Sequence, residues 1–109
     1  LEIPGGLIDP HERDPAAAAA RELREETGFL PGELRPLGSM APNPAIFTNR
    51  CHAFLATGCR RVGDLQQDPG EDLEVVLVPV REIDALIRSG AIDHALVLAA
   101  IAMWRSSLG

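Results

Sequence analysis

The sequence predicts a mixed α/β domain, on three observations. A capped, alanine-rich helix opens at Asp14-Pro15 and runs into Arg21-Glu22-Leu23-Arg24-Glu25-Glu26-Thr27-Gly28-Phe29. Three β-rich stretches follow, at 33–41, 50–57 and 73–80, set apart by Gly, Pro and Asp loops. Two further helical patterns close the chain, at 81–89 and about 94–104. The 109 residues are 46% hydrophobic, which suits one small domain over 1–109. The sequence contains no internal repeat.

Each element has a local reason. Leu1 to Pro4 reads as a short strand, followed by a Gly/Pro loop over 5–13. Asp14 is a good N-cap and Pro15 a good first helical residue. Ala16 to Ala20 favour helix and allow close packing, and Gly28 fits the helix-ending position. Pro36 makes 33–41 an edge strand or a bulged one. Pro42-Asn43-Pro44 is a turn. The stretch 50–57 is a second strand and 58–72 a polar loop. Leu73 to Val80 is rich in β-branched residues and reads as a third strand. Ile83, Leu86 and Ile87 recur at helical spacing, Gly90 ends that helix, and Asp93 is placed to cap the last one.

Composition excludes several classes. A net charge of -6 gives no basic face, so affinity for a nucleic acid backbone is not expected. No apolar run reaches the ~18 residues that span a bilayer. Cys51 and Cys59 match no zinc or redox spacing and read as reduced core cysteines, which fits the cytoplasm.

The acidic run carries the chemistry. Glu22, Glu25 and Glu26 lie three and four residues apart, on one helix face. Each like-charge pair costs roughly 0.2–0.5 kcal/mol. Arg21 and Arg24 offset this only in part. A hard divalent cation, which takes oxygen ligands, is the natural neutraliser.

The segment Gly6, five residues, Glu12, a spacer and RELREETGF resembles the Nudix box of the Nudix hydrolases. Its second half fits throughout except for an aromatic Phe29 in the last slot. Its first half has eight residues, not seven, between Glu12 and Arg21, which reads as a one-residue insertion near Arg13. The resemblance implies an α/β/α sandwich with a mixed sheet. It also implies further strands upstream that this chain does not carry, and hence a homodimer or another cover for the edge. It implies Mg²⁺, with Mn²⁺ as an alternative. Glu22, Glu25, Glu26 and the Gly5 carbonyl are the expected metal ligands. Arg21 and Glu12 are expected to hold those ligands in place. Glu22 and Glu25, with Glu71 as a base from an acidic loop before the third strand, are the expected catalytic groups.

Other stretches resemble the ADP-ribose and nucleoside-diphosphate-sugar subgroup. In the stretch from Pro42 to His52, Asn43, Phe47, Arg50 and His52 are the expected substrate contacts. Arg50 suits a phosphate, Phe47 a base, and Asn43 and His52 a sugar or base. The resulting expectation is metal-dependent hydrolysis of the diphosphate bond of a nucleotide sugar, yielding a nucleoside monophosphate and a sugar phosphate. The alternatives are a non-catalytic nucleotide-sugar-binding module and a pyrophosphohydrolase of nucleoside triphosphates or dinucleoside polyphosphates. Retention of all three box carboxylates favours the enzyme.

Overall fold

A computed structural model of the chain describes residues 1–5, 13–42, 50–63 and 74–109. The expected mix of helix and strand is observed. In chain order the elements are α1 (Pro15–Thr27), β1 (Phe29–Leu30), β2 (Glu33–Met40), β3 (Cys51–Thr57), β4 (Arg60–Arg61), a 3-10 turn (Val80–Glu82), α2 (Ile83–Ser89) and α3 (Ala95–Leu108).

Helix α1 is built as its sequence prescribes. The Asp14 carboxylate accepts from the Ala16 amide at 3.0 Å, and Pro15 occupies the first turn, where its missing N–H is no loss. Gly28 closes the helix in the left-handed region at φ 78°, with its N–H donating to the Arg24 carbonyl at 2.8 Å. The Thr27 hydroxyl donates to the Leu23 carbonyl at 2.5 Å and accepts from the Phe29 amide at 3.3 Å. That hydroxyl stitches the end of α1 to β1.

The strands form two antiparallel ladders, β1 with β4 and β2 with β3. They share one register, unbroken from Phe29↔Arg61 to Pro36↔Phe54. The joint between them is a glycine crossing: the Gly32 amide donates to the Thr57 carbonyl at 2.9 Å, and Gly58 bends at φ 62°. A Cβ on Gly32 would stand 2.7 Å from the Gly58 carbonyl oxygen. The pair therefore behaves as one ribbon, kinked where two backbones touch. The short strands β1 and β4 lie in stretches not expected to be strand, β4 inside what reads as a loop. Pro36 does mark a bulge, located between Pro36 and Gly38.

Two expected strands are not formed. Residues 1–4 and 74–79 join no ladder. Their residue types favour extended backbone, but a strand is stabilised only by a neighbour's row of N–H and C=O groups. Neither segment has such a neighbour among the described residues. Both border a single apolar cavity of about 230 Å³, with Ile83, Leu86, Ile92, Val97 and Ile101 on its other walls. Val76 and Leu77 stay exposed, Leu77 at 79%.

The last helix also departs from expectation. It is capped by His94, whose Nδ1 accepts from the Leu96 amide at 3.1 Å, rather than by Asp93, and it extends to Leu108. Helix α3 packs on the β2–β3 hairpin: Met103 fills the space over Gly38, and the Arg35 guanidinium donates to the Ser107 hydroxyl at 3.2 Å. The buried core is Ala18, Ala53, Ile92 and Val97. Both cysteines are free, but Cys59 is exposed and Cys51 only half-buried, so neither is the core residue expected. Among the described residues, no helix is long and apolar enough to cross a membrane.

Candidate active site

The site starts from helical spacing on α1. Residues three and four apart project to one side, which places Glu22, Glu25 and Glu26 together and Arg21 beside them. Arg21 Nη1 lies 3.1 Å from Glu22 Oε1 and 3.0 Å from Glu25 Oε2. One guanidinium nitrogen thus joins two of the three carboxylates. The Glu22 side chain is only 15% exposed and that of Glu25 38%.

Glu26 turns elsewhere. Its Oε2 accepts the Gly5 N–H at 2.9 Å, across twenty-one residues of chain. This bond brings the start of the glycine segment to the acidic face of α1. Gly5 was expected to contribute through its carbonyl; its amide is the group seen to engage. Arg21 is thus joined to Glu22 and Glu25, and Gly5 to Glu26. Glu12, Asn43, Phe47 and Glu71 lie outside the described residues.

The donor set fits a hard cation: three carboxylates with backbone beside them, opposed by one bridging arginine. Among the described residues, however, no three acidic, His or Cys side chains are gathered closely enough to grip an ion. Arg21 contacts Glu22 and Glu25, and the Gly5 amide donates to one oxygen of Glu26.

Arg50 and His52 form a second group, on the β2–β3 hairpin. His52 is exposed and stands directly opposite Ser39. The Arg50 guanidinium reaches across to Ser39 and makes three bonds there: Nε to the hydroxyl at 3.3 Å, Nη2 to the hydroxyl at 3.0 Å, and Nη2 to the carbonyl at 3.2 Å. Ser39 was not among the expected site residues. Its part depends on cross-strand register, which the residue pattern does not display.

The fold and site together define the class, a small α/β domain whose first helix carries an acidic face tied to Gly5. Comparison with known proteins gives the class its family. The NUDIX domain matches residues 1–101, and the chain belongs to the Nudix family.

Its relatives include the CMP-5'-(N-acetyl-N-hydroxy-3-aminopropyl)phosphonate hydrolase of Streptomyces rubellomurinus, 40% identical over 82% of this chain and 42% of that protein. The ADP-ribose pyrophosphatase of Mycobacterium tuberculosis is 31% identical over 92% of this chain and 49% of its own length. The GDP-mannose pyrophosphatase of Citrobacter koseri is 33% identical over 84% and 48%. The chain spans about half the length of these relatives or somewhat less. Nudix hydrolases generally need a divalent metal.

Proposed function

We propose that the chain is a Nudix pyrophosphohydrolase that cleaves the diphosphate bond of a nucleoside diphosphate sugar of the ADP-ribose or NDP-hexose type. Water attacks one phosphorus, the bridging P–O bond breaks, and a nucleoside monophosphate and a sugar phosphate leave. The observation that carries this reading is the tie between Gly5 and Glu26, which sets Gly5 against the acidic face of α1. Family membership and relatives named for ADP-ribose and GDP-mannose support the substrate class.

In this reading Glu22, Glu25, Glu26 and the Gly5 carbonyl hold Mg²⁺, with Mn²⁺ able to replace it. When bound, such an ion neutralises diphosphate charge and lowers the pKa of a water. Arg21 keeps Glu22 and Glu25 in fixed rotamers, and Glu12 helps to hold the ligands in place. Glu71 accepts the proton of the attacking water. Arg50 binds a phosphate oxygen, Phe47 stacks on the base, and Asn43 and His52 hydrogen-bond sugar or base. The protein acts in the cytoplasm as a homodimer, a state favoured by the exposed apolar residues of 74–80.

A specific observation favours a second substrate. The relative that is 40% identical is named for a CMP-linked phosphonate, and a phosphonate in place of a sugar phosphate leaves the attacked anhydride unchanged. A panel separates the readings: ADP-ribose, GDP-mannose, a CMP-phosphonate, a nucleoside triphosphate and a dinucleoside polyphosphate, each with Mg²⁺ and products identified. Cleavage of ADP-ribose or GDP-mannose to monophosphates is expected. Turnover of the triphosphate alone would overturn the sugar-nucleotide reading, and tight binding without turnover would mean a sensor.

A further inference from the structure

We propose that Ser39 is the positioning residue for Arg50, fixing its guanidinium so that the Nη1 edge faces a diphosphate oxygen. This rests on the reading above that Arg50 binds substrate phosphate. An exposed arginine ordinarily samples many rotamers, and holding it still costs up to roughly 2 kcal/mol of entropy. Here the side chain is already held. Nε and Nη2 are both bonded to Ser39, through its hydroxyl and its carbonyl. Of the five N–H donors of a guanidinium, the two on Nη1 have no partner among the described residues. They remain to donate to a single phosphate oxygen.

The bulge in β2 delivers that hydroxyl. Up to Pro36↔Phe54 the ribbon keeps one register; beyond it the pairing shifts by one residue, so that Gly38 faces Ala53 and Ser39 faces His52. Without the shift, His52 would face Gly38, which has no side chain. The shift needs Gly38 itself, whose φ is 144° and whose missing Cβ leaves room for Met103 of α3. Directly opposed residues share a face. The bulge therefore sets a hydroxyl beside His52 and within reach of Arg50, two residues before it.

The probe is α,β-methylene-ADP, a diphosphate that is not hydrolysed, with its Kd measured by calorimetry in Mg²⁺ for the full chain. Ser39→Ala is expected to weaken binding about fivefold, the scale of one or two charge-assisted hydrogen bonds lost from an exposed site. Ser39→Thr is expected to restore it to within about twofold, and Ser39→Ala to add nothing on top of Arg50→Ala. With a hydrolysed substrate, the same variants should move KM and leave kcat within about twofold. Should Ser39→Ala lower the melting temperature, Ser39→Thr against the isosteric Ser39→Val gives the same comparison, differing only in the hydroxyl. An unchanged Kd in Ser39→Ala or Ser39→Val, with a weakened Arg50→Ala, overturns the role of Ser39 and leaves that of Arg50. An unchanged Kd in Arg50→Ala overturns the phosphate reading of Arg50 and this inference with it.

Discussion

Glu26→Gln separates charge from tether. In the native chain one Glu26 oxygen accepts the Gly5 amide at 2.9 Å. A glutamine can still accept that N–H through its own carbonyl oxygen, so the glycine segment stays attached to α1. The bond falls from charge-assisted to neutral, a loss of about 1 kcal/mol at most in so exposed a place. For a domain of this size that is a drop in melting temperature of about 4–8 °C or less. What disappears fully is one negative charge from the face that the proposal assigns to a cation. Interactions of that kind contribute several kcal/mol to the transition state, and 1.36 kcal/mol is tenfold in rate. The expected fall in kcat/KM for a nucleotide sugar is therefore at least about 100-fold. Glu26→Ala, which removes tether and charge together, should lose as much activity and more stability. The assay is release of nucleoside monophosphate under saturating Mg²⁺, with a melting curve for each variant. If Glu26→Gln kept more than a third of native kcat/KM while melting like the native chain, the carboxylates of α1 would have no part in holding a metal.

Two further substitutions test the scaffold. Gly32→Ala would drive a Cβ to 2.7 Å from the Gly58 carbonyl oxygen, backbone against backbone with no side chain to yield; a loss of about 2 kcal/mol is expected, read as a melting temperature lower by roughly 10 °C. Asp14→Ala removes the carboxylate that accepts from Ala16 at the start of α1 and should cost about 1 kcal/mol, visible in a urea titration as a lower midpoint with an unchanged slope.

The sequence disclosed those parts whose causes are local. Helix α1 was legible to the residue because its cap, its first-turn proline and its terminal glycine all act within a few positions. The bulge near Pro36 was legible for the same reason: proline cannot donate to a ladder. What escaped was set by pairing between distant residues. Strands β1 and β4 are two residues each, too short to display an alternation, and exist because the β2–β3 register continues past the glycine crossing. The opposite error occurred at 73–80, where a run of valines reports a preference for extended backbone and nothing about a partner. The site divides the same way. The box motif named Arg21, Glu22, Glu25 and Glu26, all on one helix. The reach of Arg50 to Ser39 had no signal, since it depends on which residue the bulge brings opposite His52.

The contacts of Arg21 give the acidic face its character as a site rather than a surface. Three carboxylates within five residues would repel one another, by roughly 0.2–0.5 kcal/mol for each close pair. A single guanidinium nitrogen bridging Glu22 and Glu25 relieves part of this. Glu26 is relieved separately, by a backbone N–H that no deprotonation can remove. In the proposed role, a cation on this face would draw Glu22 and Glu25 partly off Arg21. The ion pairs are weak enough, with Glu25 38% exposed, that this cost is small against the attraction of several carboxylates for a divalent ion. A tighter clamp would hold the helix better and bind metal worse. The half-buried arrangement suits the proposed role of this face in holding a cation.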